Sequence, residues 1–268
     1  MSAPDRSLRL DVLGAGPAYT DRLGSTGAAY LVRHGSTALL LDLGQGSFTR
    51  LAATIEPSDL TAVVISHLHA DHFVDLVALR HYLRWEFRPG RRVRVIGPAG
   101  MADRLDGLHA EPGFTAEALD VDVQRPGTTS IGDLQVTAQK VTHTEDSYAV
   151  RVAAGADREG PGLVYSGDCG VADDLAPLIR PGDALLVEVS FGAGPVVPGA
   201  AHLDGPAVGA LAARTRPGRV LLTHLQMGFD EAATIASVRD RYDGDVVLVH
   251  PGDGIDLFAL GATDRPLG

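Results

Sequence analysis

Short apolar runs rich in β-branched residues, each closed by glycine or polar positions, recur along most of the chain. They fall at Leu8–Leu13, Ala28–Val32, Ala38–Leu43, Ala62–Ile65, Val93–Ile96, Leu134–Thr137, Tyr148–Val152, Leu163–Tyr165, Ala184–Val187, Val220–Leu222 and Val246–Val249. Runs this short read as buried or half-buried strands. Helical spacing of apolar residues marks Phe73–Trp85, Val171–Ile179, Gly205–Arg214 and Glu231–Tyr242. The first half opens with several strands and few helices; in the second half strands and helices alternate. That pattern predicts an α/β protein of two packed sheets with helices outside, a four-layered αββα sandwich. The turn-rich segments Arg88–Arg92, Gly155–Gly162 and Gly192–Ala200 read as loops, not linkers. Residues 1–268 are therefore read as one domain.

With 268 residues, 45% hydrophobic and 21% charged, the chain is long and apolar enough for a substantial core, which excludes a mainly disordered protein. No apolar run approaches the ~18–20 residues of a membrane span. The opening, Met1–Ser7, has no basic region followed by an apolar stretch, so the expectation is a cytoplasmic protein. A single cysteine, Cys169, excludes an internal disulfide and a thiolate-rich zinc knuckle. The net charge of −11 argues against extended nucleic acid as a partner. It leaves room for a small anionic substrate, because bound divalent metals reverse the local sign.

Candidate chemistry concentrates in the histidines. Three of the ten fall within His67-Leu-His69-Ala-Asp71-His72, between an apolar strand and a helix. A strand-to-helix loop lets side chains converge without breaking a backbone ladder. Alternation places His67 and His69 on one side, and a sharp turn carries Asp71 and His72 toward a second point. Imidazole with carboxylate suits zinc, iron or manganese. Four of the remaining seven histidines, His34, His81, His109 and His250, read as ordinary turn, helix or loop residues, with His109 in a polar loop. Cys169 reads as a small buried thiol.

The motif His67-Leu-His69-Ala-Asp71-His72 resembles the signature of the metallo-β-lactamase superfamily. His143 in Val-Thr-His-Thr, Asp168 in Ser-Gly-Asp-Cys and His224 in Leu-Thr-His-Leu match the rest of that family's ligand set in order. The resemblance implies His67, His69 and His143 on one metal, Asp71, His72 and His224 on a second, and Asp168 between them. Two divalent ions follow, Zn²⁺ foremost, with Mn²⁺ or Fe as alternatives. They carry +4 against −2 from Asp71 and Asp168, so such a site attracts an anion and generates hydroxide from water near neutral pH. Asp42 and Asp59 match other recurrent acids of the family, which would orient the histidine loop; ordinary strand-end or cap acids are the competing reading.

Glu188, ending an apolar run, and His202, opening the Gly205–Arg214 helical stretch, resemble a pair in the ribonuclease Z-like branch. There the pair contacts the scissile phosphate and protonates the leaving oxygen. The catalytic candidates are accordingly Glu188, His202 and Asp71. The tRNA-processing members carry a long arm between the equivalents of His143 and Asp168, whereas only 25 positions separate these residues here. The resemblance then implies an armless, ribonuclease Z-like metallohydrolase, in which a metal-bridging hydroxide attacks a small phosphodiester. Hydrolysis of a lactone, thioester or β-lactam is the first alternative, and metal binding without turnover the second. A homodimer is implied by the family resemblance alone.

Overall fold

The computed structural model describes residues 8–87, 90–155, 157–258 and 263–264. The chain before Leu8, residues 88 and 89 of one predicted loop and residue 156 of another lie outside these residues.

Two sheets form among the described residues. The first is built from β1 (Arg9–Gly14), β2 (Ala29–His34), β3 (Thr37–Leu41), β4 (Ala62–Val64), β5 (Val93–Gly97) and β6 (Leu119–Val123). The second holds β7 (Gly127–Ile131), β8 (Leu134–Lys140), β9 (Tyr148–Ala154), β10 (Leu163–Tyr165), β11 (Ala184–Glu188), β12 (Arg219–Thr223) and β13 (Asp245–Leu248). The chain then returns to the first sheet with β14 (Gly254–Asp256) and β15 (Thr263–Asp264). The order is β15-β14-β1-β2-β3-β4-β5-β6 in one sheet and β13-β12-β11-β10-β9-β8-β7 in the other. Pairing is parallel from β3 to β6 and from β10 to β13, and antiparallel elsewhere.

Alternation along each strand explains why so many runs are apolar throughout. Leu39 and Leu41 of β3 face the second sheet, where Leu186 and Leu221 meet them; Leu40 faces away. Leu185, Val187, Val220 and Leu222 point to the outer side of the second sheet. That side is covered by α5 (Gly205–Thr215) and α6 (Glu231–Arg239), while α1 (Phe48–Thr54), α3 (Leu76–Trp85) and α4 (Met101–His109) cover the first sheet. Strands buried on both faces have no polar side to show. Three apolar layers separate four structural ones, giving the αββα sandwich.

The helices depart from expectation in instructive ways. α1 (Phe48–Thr54) and α4 (Met101–His109) carry no apolar stripe long enough to stand out, since only Leu51 in one and Met101 and Leu105 in the other are buried. His109 consequently lies at a helix end, not in a polar loop. The stretch from Phe73 to Trp85 is not one helix: α2 (Ala70–Phe73) ends at the first residue of that stretch, and α3 (Leu76–Trp85) makes up the rest after a break. They part where the Asp75 amide donates to the Leu43 carbonyl and its carboxylate accepts from the Phe48 amide. Val171–Ile179 is not an α-helix: only Ala172–Asp174 coil, as a 3-10 turn. Pro177 cannot donate within a helix, and the apolar spacing there instead packs Leu175, Leu178 and Ile179 onto the second sheet. α5 (Gly205–Thr215) and α6 (Glu231–Arg239) begin at Asp204 and Asp230, whose carboxylates accept from the amides of Ala207 and Ala233. Among the described residues no helix is long and apolar enough to cross a membrane.

Candidate metal centre

The parallel strands of both sheets end on the same edge of the sandwich, and the candidate residues sit there. Asp42 follows β3, and Ser66 and His67 follow β4. Asp168 follows β10, Glu188 ends β11 and His224 follows β12. His143 leaves β8, and His69, Asp71 and His72 lie at the start of α2. Two of these residues hold left-handed backbone, Asp42 at φ +58° and His224 at φ +60°. Each turns its side chain back over the strand ends at the conformational cost such residues carry.

The side chains form two clusters sharing one carboxylate. In the first, Nδ1 of His69 lies 3.0 Å from Nε2 of His67 and 3.1 Å from Nε2 of His143. Asp168 Oδ2 is 3.7 Å from the Nε2 atoms of both His67 and His143. In the second, His224 Nε2 lies 3.3 Å from His72 Nε2 and 3.2 Å from Asp71 Oδ2. Asp168 Oδ1 faces that cluster, 3.3 Å from His72 Nε2 and 3.5 Å from His224 Nε2. Within each cluster the candidate ligand atoms lie within 4.8 Å of one another.

The donor set fits divalent cations. Asp168 Oδ1 is buried and has no hydrogen-bond partner among the described residues, a costly state for a carboxylate oxygen that a cation relieves. Five imidazole nitrogens crowd around the two oxygens of this carboxylate, and neutral rings turning lone pairs toward one another repel unless a positive centre lies between them. Nitrogen and carboxylate oxygen are the ligands zinc, manganese and iron accept.

Surrounding groups fix which nitrogen each ring turns inward. Nδ1 of His72 donates to Asp42 Oδ2 at 2.7 Å, leaving Nε2 for the cluster. Asp42 is wholly buried and accepts further hydrogen bonds from the Ser66 amide and hydroxyl, both 2.7 Å, and from the Tyr165 hydroxyl at 2.6 Å. His143 Nδ1 donates to the Ala201 carbonyl at 2.8 Å, and His224 Nδ1 to the Ser190 hydroxyl at 3.0 Å. Asp42 thus orients the histidine loop, but Asp59 does not reach it and lies exposed on the 3-10 turn Pro57–Asp59.

Electrostatics separates the clusters. Burial disfavours a charged His67, and its neighbour His72 adds to the effect, so its proton affinity falls well below the ordinary histidine value. Burial and His143 lower His69 likewise. Burial also opposes charge on His72, yet Asp168 and Asp42 outweigh it and raise its pKa well above the ordinary value. Asp168, although burial penalises its charge, is held well below the carboxylate range by His224 and His72.

Beside the clusters, Glu188 binds Nδ1 of His202 at 2.9 Å. The same carboxylate accepts from the amides of Cys169 and Ser190 and from the Ser190 hydroxyl. Its oxygens are thereby occupied, which makes it a holder of His202 and not a further ligand. The His202 ring is centred 4.8 Å from His143 and 6.1 Å from His224, between the clusters, with 18% of its side chain exposed. Burial works against a charged His202, but Glu188 raises its proton affinity. Cys169 is buried, and that burial pushes its thiol up to about 12.

A model of the β-lactamase superfamily domain matches residues 39–225, a span that holds both clusters. The chain belongs to the metallo-β-lactamase superfamily. Protein ML1173 of Mycobacterium leprae is 31% identical over 94% of this chain and 90% of its own length. A ribonuclease Z of Mycobacterium sp. (strain KMS) is 30% identical over 97% of this chain and 91% of its own. The crystal structure of the metallo-β-lactamase fold protein YhfI from Bacillus subtilis superposes with a TM-score of 0.82 at 22% identity, covering 93% of this chain and 99% of that one. Within this superfamily member, β9, a turn and β10 fill the segment between His143 and Asp168.

Sequence reasoning did not single out Ser66, Tyr165 or Ser190. Ser190 carried a signal, since it stands two residues beyond Glu188 and alternation puts both on one side. Tyr165, in an apolar run, offered none.

Proposed function

We propose that this chain is a dinuclear metal-dependent phosphodiesterase acting on a small anionic phosphodiester. His67, His69 and His143 would hold one divalent ion, Asp71, His72 and His224 the other, with Asp168 bridging and zinc the favoured metal. Asp168 carries this reading, because one buried carboxylate turns a separate oxygen to each cluster. Ions bound there supply charge against a developing oxyanion and lower the pKa of water to make a nucleophile at neutral pH. With Nδ1 of His202 held by Glu188, the proton to be transferred is the one on Nε2. A raised proton affinity favours the charged ring, the form that can protonate the leaving oxygen. Asp71, beside His224, acts with the bridging Asp168 to balance the charge of the ions. The similarity to a ribonuclease Z supports phosphodiester chemistry. The short segment from His143 to Asp168 and the net charge of −11 favour a small substrate over extended nucleic acid.

The test is hydrolysis of bis(p-nitrophenyl) phosphate by protein reconstituted with Zn²⁺ or Mn²⁺, with Asp168→Ala as background. His202→Ala should reduce turnover by ~10²-fold or more while leaving metal content intact. Absence of turnover in a folded, metal-loaded protein sinks the phosphodiesterase reading and directs the search to lactones, thioesters and β-lactams. Inactivity on those as well leaves a metal-binding protein without turnover.

A further inference from the structure

Ser190 is wholly buried and stands where the two parts of the proposed machinery meet. Its hydroxyl lies 2.5 Å from Glu188 Oε2, 3.0 Å from His224 Nδ1 and 3.3 Å from His202 Nδ1. A hydroxyl has one proton to give and two lone pairs to receive. The shortest contact is to an acceptor-only carboxylate, so the proton goes to Glu188, and the oxygen accepts from His224. That assignment fixes His224 as the tautomer protonated at Nδ1, with Nε2 bare toward Asp71, His72 and Asp168. The Ser190 backbone reinforces the arrangement: its amide donates to Glu188 Oε2 at 3.0 Å, and its carbonyl accepts from the Gln226 amide at 3.3 Å, two residues past His224.

We propose that Ser190 is a positioning residue whose single hydroxyl sets the His224 tautomer and the Glu188 orientation together, so that the buried metal half-site and the His202 acid are aligned by one group. The inference rests on the metal-centre reading above and assigns to this chain a coupling between two sets of side chains that also meet at Asp168 and at the stacked rings of His202 and His224. Without the hydroxyl, the Nδ1 proton of His224 loses its acceptor and the ring is free to place its proton on Nε2, which abolishes ligation. Glu188 meanwhile loses one of the donors that hold it against His202.

The experiment is a Zn²⁺ titration against a chromophoric chelator, run on the wild type, Ser190→Ala and Ser190→Thr. Phosphodiester turnover is measured in parallel. Loss of a partner outside the ligand shell typically weakens a metal 10–100-fold. Ser190→Ala should weaken one of two ions by about that factor and spare the other, and kcat should fall with little change in KM. Ser190→Thr, which keeps the hydroxyl, should restore both. Unchanged affinity for both ions in Ser190→Ala overturns the proposal. Imidazole ¹⁵N NMR of the zinc-loaded wild type is independent of whether the alanine variant folds. It should show His224 protonated at Nδ1 with slow proton exchange, and an Nε2-protonated His224 equally overturns it. A wild type that binds no zinc would instead bring down the metal-centre reading. A wild type that binds two ions without cleaving phosphodiesters leaves the affinity and NMR arms to decide the role of Ser190.

Discussion

The two clusters around Asp168 are built from similar ligands but set in different surroundings. Asp71, His72 and His224 are all buried, and their rings are held from behind by Asp42 and Ser190. In the other cluster His67 is buried too, but His69 is exposed, and the backing group of His143 is a backbone carbonyl. The buried cluster faces two carboxylates, the exposed one only Asp168. More negative charge, less water and stiffer support should make the buried half-site the tighter one, and the exposed half-site the one that exchanges its ion and admits substrate.

The largest effect should come from Asp168→Ala, which removes the residue both halves share. Both ions should be lost from dialysed protein, read by elemental analysis, with hydrolysis reduced by about 10³-fold or more. Retention of one tight ion would show that the halves are independent of their bridge. Next, His69→Ala should strip the exposed half-site, weakening one ion by about 100-fold or more and leaving close to one equivalent bound. Loss of both ions in this variant would show the two half-sites to be one unit.

Asp42→Asn should act on the buried half-site alone. Weakening of that ion by about 10–100-fold is expected. Because His72, Ser66 and Tyr165 all lose their charged acceptor, the metal-free protein should also lose about 1–3 kcal/mol in a denaturant titration. The smallest effect is a difference in pH dependence. In the metal-free chain His72 holds its proton more tightly than an ordinary histidine, whereas His67 and His69 hold theirs more weakly. A ligand must release its proton before it binds a cation. As pH falls, the affinity of the buried half-site should therefore begin to weaken at a higher pH than that of the exposed one, although the buried ion is the tighter at neutral pH. Zinc titrations over a pH series would measure the gap, and coincident profiles would remove it.

Most of this geometry was legible in sequence, for a reason particular to the fold. Parallel strands buried on both faces leave an unmistakable apolar run, and each polar residue ending one, such as Asp168 or His224, stands out against it. Elements at the margins were harder to read. β6 alternates Leu119, Val121 and Val123 with aspartates but sits at a sheet edge, and α4 buries too little to show a stripe. The false helix at Val171–Ile179 shows apolar spacing serving a coil that packs on a sheet. The supporting hydroxyls escaped notice because serine and tyrosine are common in strands, and only the folded arrangement makes Ser190 or Tyr165 a partner of an imidazole.

The strand ends that carry the clusters belong to different sheets: His67 and His72 follow a strand of the first, and Asp168 and His224 follow strands of the second. A chain with one cysteine has no covalent cross-link of its own, yet ions held across this edge would act as one. They would pin together residues about 150 positions apart and restrict the unfolded chain as a long disulfide loop does. On chain-entropy grounds such a closure is worth about 4–5 kcal/mol. The same atoms assigned to bond cleavage would then also decide whether the two sheets stay together when the protein is heated.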